Sequence, residues 1–215
     1  MTNTENIIKP SVVRIPMALV RHRYTGVEYE TITRYSVTWK DVFSIEMLYT
    51  MLHEWLVDNR YAEKDDSKFP EVLYLQKEEQ KGKEIWIRWR PSRFSLSKRA
   101  SLFRFDIDID IHLLGLKEVE LLVKGKKITA EKGEVEVNVV ANLVKDPEGK
   151  WKKHSILGPL RELYIRRIIR QTKRDLEDEL YNDAMRMREA ITSYLNVEAH
   201  IGLEKEARTY FPKID

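Results

Sequence analysis

The stretch FRFDIDIDIH, Phe103 to His112, sets Asp106, Asp108, Asp110 and His112 on every second position between apolar residues. In an extended strand alternate side chains share a face about 6.5–7 Å apart, so these four line one side. Phe103, Phe105, Ile107, Ile109 and Ile111 line the other. Hard divalent cations want clustered oxygen ligands, and carboxylates two apart on a strand are one way of holding metal for nucleotidyl transfer. The same alternation also arises from burial alone where an antiparallel sheet has one wet face. A neighbouring run, WIRWR, offers Trp86, Arg88 and Arg90 on its polar side. Cross-strand Arg–Asp pairs, worth roughly 0.2–1 kcal/mol each, would neutralise the acids. With no glycine-rich phosphate loop and no second carboxylate motif, the sequence favours a structural ladder answered by arginine. Asp106, Asp108 and Asp110 stand as the alternative, a metal site for a metal-dependent enzyme.

Other routes to catalysis lack their usual residues. The chain has no cysteine, which removes disulfides, thiolate metal sites and cysteine nucleophiles together. Its five histidines, His22, His53, His112, His154 and His200, show no i, i+4 pairing. No serine sits in a G-x-S-x-G setting, and eight glycines over the whole chain form no dinucleotide fingerprint. The sequence therefore assigns no catalytic residue and no cofactor, and leans away from an enzyme. Trp86 and Trp89 beside Arg88 and Arg90 are a possible stacking platform for single-stranded nucleic acid. Trp89, however, shares a face with Ile85 and Ile87, the pattern of a core residue.

A stronger local signal lies near the C-terminus. Arg161, Arg166, Arg167, Arg170, Lys173 and Arg174 are followed at once by Asp175, Glu177, Asp178, Glu179 and Asp183. A helix dipole favours acids near the N-terminus and bases near the C-terminus, so this order is reversed. The bases then answer to something outside their own helix: an acidic protein partner, phosphates, or the reversed helix of a second copy. An antiparallel pair would set basic half against acidic half, the isologous geometry of a two-fold dimer. The plainer reading is a solvated face with i, i+4 pairs such as Arg174–Asp178.

These residues need elements to position them. The chain is 215 residues long and 42% hydrophobic, enough for one sizeable core. Thirty-eight bases against 35 acids leave a net charge of +3, so no global field demands a nucleic acid or membrane. The N-terminal MTNTENIIKPSVVRIPM has no apolar run of signal length, and no stretch of about 18 apolar residues offers a membrane span. The expectation is a cytoplasmic protein. Abundant Lys, Arg and Glu with few Gln lean towards a heat-adapted source.

Residues 1–10 read as a flexible lead. SVVRIPMALVRHRY and VEYETITRYSVTW read as two strands turning at Thr25-Gly26. In the second, Tyr29, Thr31, Thr33 and Tyr35 share one side, with Glu28, Glu30, Ile32 and Arg34 opposite. Ile45, Leu48, Tyr49, Leu52, Trp55 and Leu56 form a helical stripe near residues 42–60, with Asp41 or Ser44 as N-cap. EVLYLQKEE and KEIWIRWR flank Gln80-Lys81-Gly82 as a hairpin. A meander of short strands follows, turning at Gly115, Gly125 and Lys132-Gly133. From Ser155 to Leu195 apolar residues recur at helical spacing, opened by Gly158-Pro159, with Gly202 beyond the end. A straight helix of roughly 40 residues spans about 60 Å and overhangs a body of this size. It either projects towards a partner or bends near RQTKRD.

The expected fold is α+β: an antiparallel sheet with one amphipathic helix and a long C-terminal helix packed on or projecting from it. Residues 11–197 form a single domain, with sheet and first helix in 11–153 and the long helix in 155–196. A tail occupies 198–215. This element order, over about residues 27–196, resembles the helix-grip architecture of the START-like superfamily, although the last helix is longer and more charged than a grip needs. The resemblance implies a cavity for an apolar ligand, lined by Phe103, Phe105, Ile107 and Trp89. Separately, LHEWLVDNRY and LRELYIRRIIR…AITSYLNV look like phrases of uncharacterised archaeal proteins that carry no known activity. The function expected first is a binding or scaffold protein assembling through its long charged helix. Carriage of an apolar ligand, and nucleic-acid binding through the helix arginines and RPSRFSLSKRAS, are the other readings.

Overall fold

The computed structural model describes residues 23–79, 82–95, 102–123, 126–149, 151–155, 158, 160 and 163–209, of which 121–129, 166 and 197–209 are described in backbone only. Of the strand expected over residues 11–24, residues 11–22 lie outside the described residues, and Arg23 and Tyr24 belong to a turn. Six strands form one antiparallel sheet: β1 (Glu28–Phe43), β2 (Glu71–Glu79), β3 (Gly82–Trp89), β4 (Ser92–Phe94), β5 (Phe103–Val123) and β6 (Lys126–Lys145). Their order is β1-β6-β5-β3-β2, with the short β4 also paired to β5. Helix α1 (Ile45–Asp58) follows β1, and α2 (Arg170–Thr209) ends the described chain. The α+β class expected from the sequence is thus observed.

Each element follows from its residues. Ser44 caps α1, its side chain accepting from the Met47 N–H, and the apolar stripe buries Leu48, Leu52 and Leu56. The β2–β3 hairpin forms as expected, with Leu75 opposite Trp86. Along β5 the odd residues Phe103 to Ile111 face inward, joined by Val135, Val137, Val139 and Leu143 of β6. On α2, Leu176, Leu180, Ala184, Met187, Ile191 and Leu195 recur every three or four residues and close the core from above. Full burial of each larger aliphatic side chain contributes roughly 1.5–3 kcal/mol, so this seam seats the helix.

Four departures from the sequence reading have local causes. Gly115 and Gly133 are not turns but lie inside β5 and β6, where the pairing shifts between Leu114 and Lys117. Gly115, with φ +65°, supplies the backbone of a bulge, so the expected meander of short strands becomes one long hairpin. A second shift between Thr31 and Thr33 reverses the sides of β1. Thr31 faces outward with Asn142, whereas Tyr35 lies opposite Val139 on the helix side, so the expected grouping of Tyr29, Thr31, Thr33 and Tyr35 is split. The long helix expected from residue 155 is interrupted by a π-turn, Tyr164–Ile168, and a break at Ile169 (φ −110°, ψ 21°), so α2 starts only at Arg170. The interruption falls beside RQTKRD, where the sequence offered a bend as the alternative to a straight helix. Finally, α2 passes through Gly202 to Thr209, beyond the expected end at 196, because one glycine costs a helix interior only about 1 kcal/mol.

Candidate functional site

The aspartate ladder lies on the sheet face opposite α2, and it is not a wet face. Asp106 has no solvent exposure and Asp108 is buried, while the Asp110 side chain is 43% exposed. Arg104, two residues before Asp106 and on the same side, grips it with both ends: Nε donates to Oδ1 at 2.7 Å and Nη2 to Oδ2 at 2.8 Å. Arg23 bridges the next rung, with Nε 3.1 Å from Asp106 Oδ2 and Nη1 2.7 Å from Asp108 Oδ1. Its Nη2 donates to the Pro91 carbonyl. The Tyr24 hydroxyl donates to Asp108 Oδ2 at 2.8 Å and accepts from Asn142 Nδ2 at 3.0 Å. Arg90 donates to Asp110 at 2.7 Å and stands 3.7 Å from Asp108, while Arg88 is 3.7 Å from Asp110. At the outer end Trp86 stacks on His112, whose ring nitrogen lies 2.8 Å from Glu84.

Electrostatics follow from this burial. Desolvation pushes the Asp108 carboxyl up, against the pull of Arg23 and Arg90. Burial, reinforced by Asp108, also raises the Tyr24 phenol. The oxygens of Asp106 and Asp108 are thus taken by guanidinium, phenol and amide donors. Among the described residues no group of three or more His, Asp or Glu is placed to hold a metal ion. What this arrangement does is fasten the Arg23–Gly26 turn across β5 and β6. Buried ion pairs repay little net stability, but a pair left half-made is costly, so the network fixes register rather than adding strength.

A second buried cluster ties α2 to the other face. Asp183, only 1% exposed, accepts from Tyr61 at 2.8 Å and from Arg93 at 2.5 Å, and pairs with Arg186. The Arg93 guanidinium also reaches Glu179 at 2.7 Å and lies over the rings of Tyr61 and Phe105. Arg90 and Arg93, two of the four bases of RPSRFSLSKRAS expected to meet nucleic acid, are therefore spent inside the fold, while the other two, Lys98 and Arg99, lie outside the described residues.

The residues expected to line an apolar cavity, Phe103, Phe105, Ile107 and Trp89, each have 0% exposure and belong to the packed core. An open cleft of about 340 Å³ lies elsewhere, between the start of α1 and the ends of the strands, against Ile45, Tyr49, Tyr74, Ile85, Leu116 and Glu131.

Of the basic series on the long helix, Arg161 lies outside the described residues and the Arg166 side chain is not described. Lys173 turns inward, 2.9 Å from Glu30 of β1 and paired with Glu177. Lys173 holds the Glu30 carboxyl below the usual range, with Lys145 adding to the effect. Arg167, Arg170 and Arg174 are exposed and form no ion pair among the described residues, and the expected Arg174–Asp178 contact is not made. Leu160, Leu163 and Ile168 beside them are 49%, 52% and 69% exposed. Acids follow on the same helix: Asp175, which accepts from Gln171 at 2.8 Å, and the exposed Asp178.

Arg23, Tyr24, Arg104 and Asn142 are ladder partners that sequence reasoning missed. Arg104 carried a signal, because it precedes Asp106 by two and shares its face. Arg23 carried none, being 85 residues from Asp108. Asp183 also carried one: an acid set between Leu180 and Ala184 on a buried stripe marks a polar lock. Among the described residues no helix is long and apolar enough to cross a membrane. The sequence matches no protein-family model and no curated protein sequence.

Proposed function

We propose that this chain is a binding or scaffold protein, not an enzyme, and that it assembles through the outer face of its long C-terminal helix. One observation carries the reading: Arg167, Arg170 and Arg174 stand exposed without ion pairs among the described residues, beside exposed Leu163 and Ile168. By contrast Arg23, Arg90, Arg93 and Arg104 each pair with a carboxylate inside the fold. Bulky apolar groups interleaved with uncommitted guanidinium are what a buried interface recruits. The ladder supports the non-catalytic half of the reading, because its carboxylates already serve arginines.

Its test is the mass in solution of the purified full-length protein, together with identification of any protein held by it, for wild type and for Arg167→Glu/Arg170→Glu/Arg174→Glu. The wild type is expected above monomer mass or stably loaded with a protein partner, and the triple variant free of both at unchanged melting temperature. A wild type that is a bare monomer contradicts the reading. Binding to nucleic acid that weakens steeply with salt would replace it with the nucleic-acid alternative. Among the described residues, carriage of an apolar ligand is favoured by the open cleft beside Tyr49, Tyr74 and Leu116.

A further inference from the structure

We infer that the partner of the outer helix face is a second copy of this chain, docked antiparallel about a two-fold axis passing between Thr172 and Lys173. The inference rests on the assembly reading above and names its partner. On α2, positions 170, 171, 174, 178 and 181 recur at helical spacing and are all exposed, with Arg167 exposed in the π-turn just before it, while Leu176, Leu180 and Ala184 on the opposite side of the helix are buried. Along the exposed side the charges read Arg167, Arg170, Arg174, then Asp175 and Asp178.

That order is self-complementary. The antiparallel register that sets Arg167 opposite Asp178 of the second copy also sets Arg170 opposite its Asp175 and Gln171 opposite its Arg174. Two-fold symmetry repeats each pairing. The same register brings Tyr181, 47% exposed, against the turn of Leu163 and Tyr164, so each end of the contact closes on apolar groups. A polyanion or an anionic membrane lying along this face would gain the arginines but meet Asp175 and Asp178 within the next turn. A partner must offer acids and then bases in reverse order, and this helix run backwards does so.

The test uses two full-length variants, Arg167→Asp/Arg170→Asp and Asp175→Arg/Asp178→Arg, with sedimentation equilibrium as readout and circular dichroism to show that both fold. All four positions are exposed, so thermal melting should change little. The wild type should self-associate, each variant alone should weaken by about tenfold or more, and an equimolar mixture should recover a heterodimer near wild-type affinity. Weakening of each variant alone together with rescue in the mixture marks the antiparallel register: a parallel in-register pair already sets like charge against like, so reversing two of its charges would not weaken it, although its mixture would also set acid against base. A wild type that associates while the mixture stays monomeric overturns this geometry and leaves assembly standing. A monomeric wild type that instead retains a different protein overturns the second copy as partner. A wild type that is monomeric and binds nothing overturns both.

Discussion

Arg93 on β4 and Asp183 on α2 meet at 2.5 Å across 90 residues of sequence, beneath the helix that the assembly reading needs in place. Tyr61 completes the contact through its hydroxyl. Asp183→Ala should strand a buried guanidinium and cost about 3–5 kcal/mol, read as a lowered urea midpoint. A loss below about 1 kcal/mol would mean that Arg93 finds another partner and that the lock does not seat α2.

The Asp108 carboxyl makes stability depend on pH in a definite direction. Burial holds its folded pKa above the ordinary carboxylate value, so the native state keeps this proton more tightly than the unfolded chain does. Its contribution is fully present below the unfolded value, near 3.9, and is lost as pH rises through the raised one. The stability of wild type minus that of Asp108→Asn should therefore fall as pH climbs from about 3 to about 7. Chemical denaturation of both proteins across that range checks the slope, and a difference that rises with pH would reverse the assignment.

Glu30 should behave in the opposite sense. Lys173, aided by Lys145, holds its carboxyl below the usual range, so stabilisation is present above the unfolded value and lost as pH falls through the lowered one. The Glu30 side chain is 44% exposed, which limits the effect of Glu30→Gln to under about 1 kcal/mol at neutral pH. Repeating the measurement in high salt should shrink it further.

Gly82 stands at φ +130°, and an added Cβ would sit 2.6 Å from the Leu116 carbonyl oxygen and 2.8 Å from the Gly115 carbonyl carbon. These atoms are backbone and cannot swing away as a side chain could. Gly82→Ala should cost about 2–3 kcal/mol, against about 1 kcal/mol for Gly26→Ala, which has φ +74° but open space. Equal melting temperatures for the two variants would show that the bulge at Gly115 relaxes freely.

How far the sequence foretold this molecule depended on the range of the forces involved. Stripe and cap sufficed for α1, where Ser44 and three buried leucines act within a few turns. Strict alternation sufficed for β5, whose apolar side is the core and whose acids do meet Arg88 and Arg90. Gly115 misled because a glycine at positive φ serves a bulge as well as a turn, and only the partner strand decides which. The burial of Asp106 and Asp108 was hidden for another reason: Arg23 and Tyr24 arrive from more than 80 residues away. On the long helix the charge order could be read directly, but which bases stay uncommitted could not, since Lys173 is claimed by Glu30 on β1.

The central claim is assembly through the outer face of α2, and the mass of the wild-type protein in solution tests it most directly. Sedimentation at low and high ionic strength, over a range of concentrations, should show a species heavier than the 25.6 kDa monomer at low salt. Because the contact is made of exposed charges, that species should dissociate as salt screens them. A 25.6 kDa monomer with nothing bound, at every concentration and at both ionic strengths, would contradict the account.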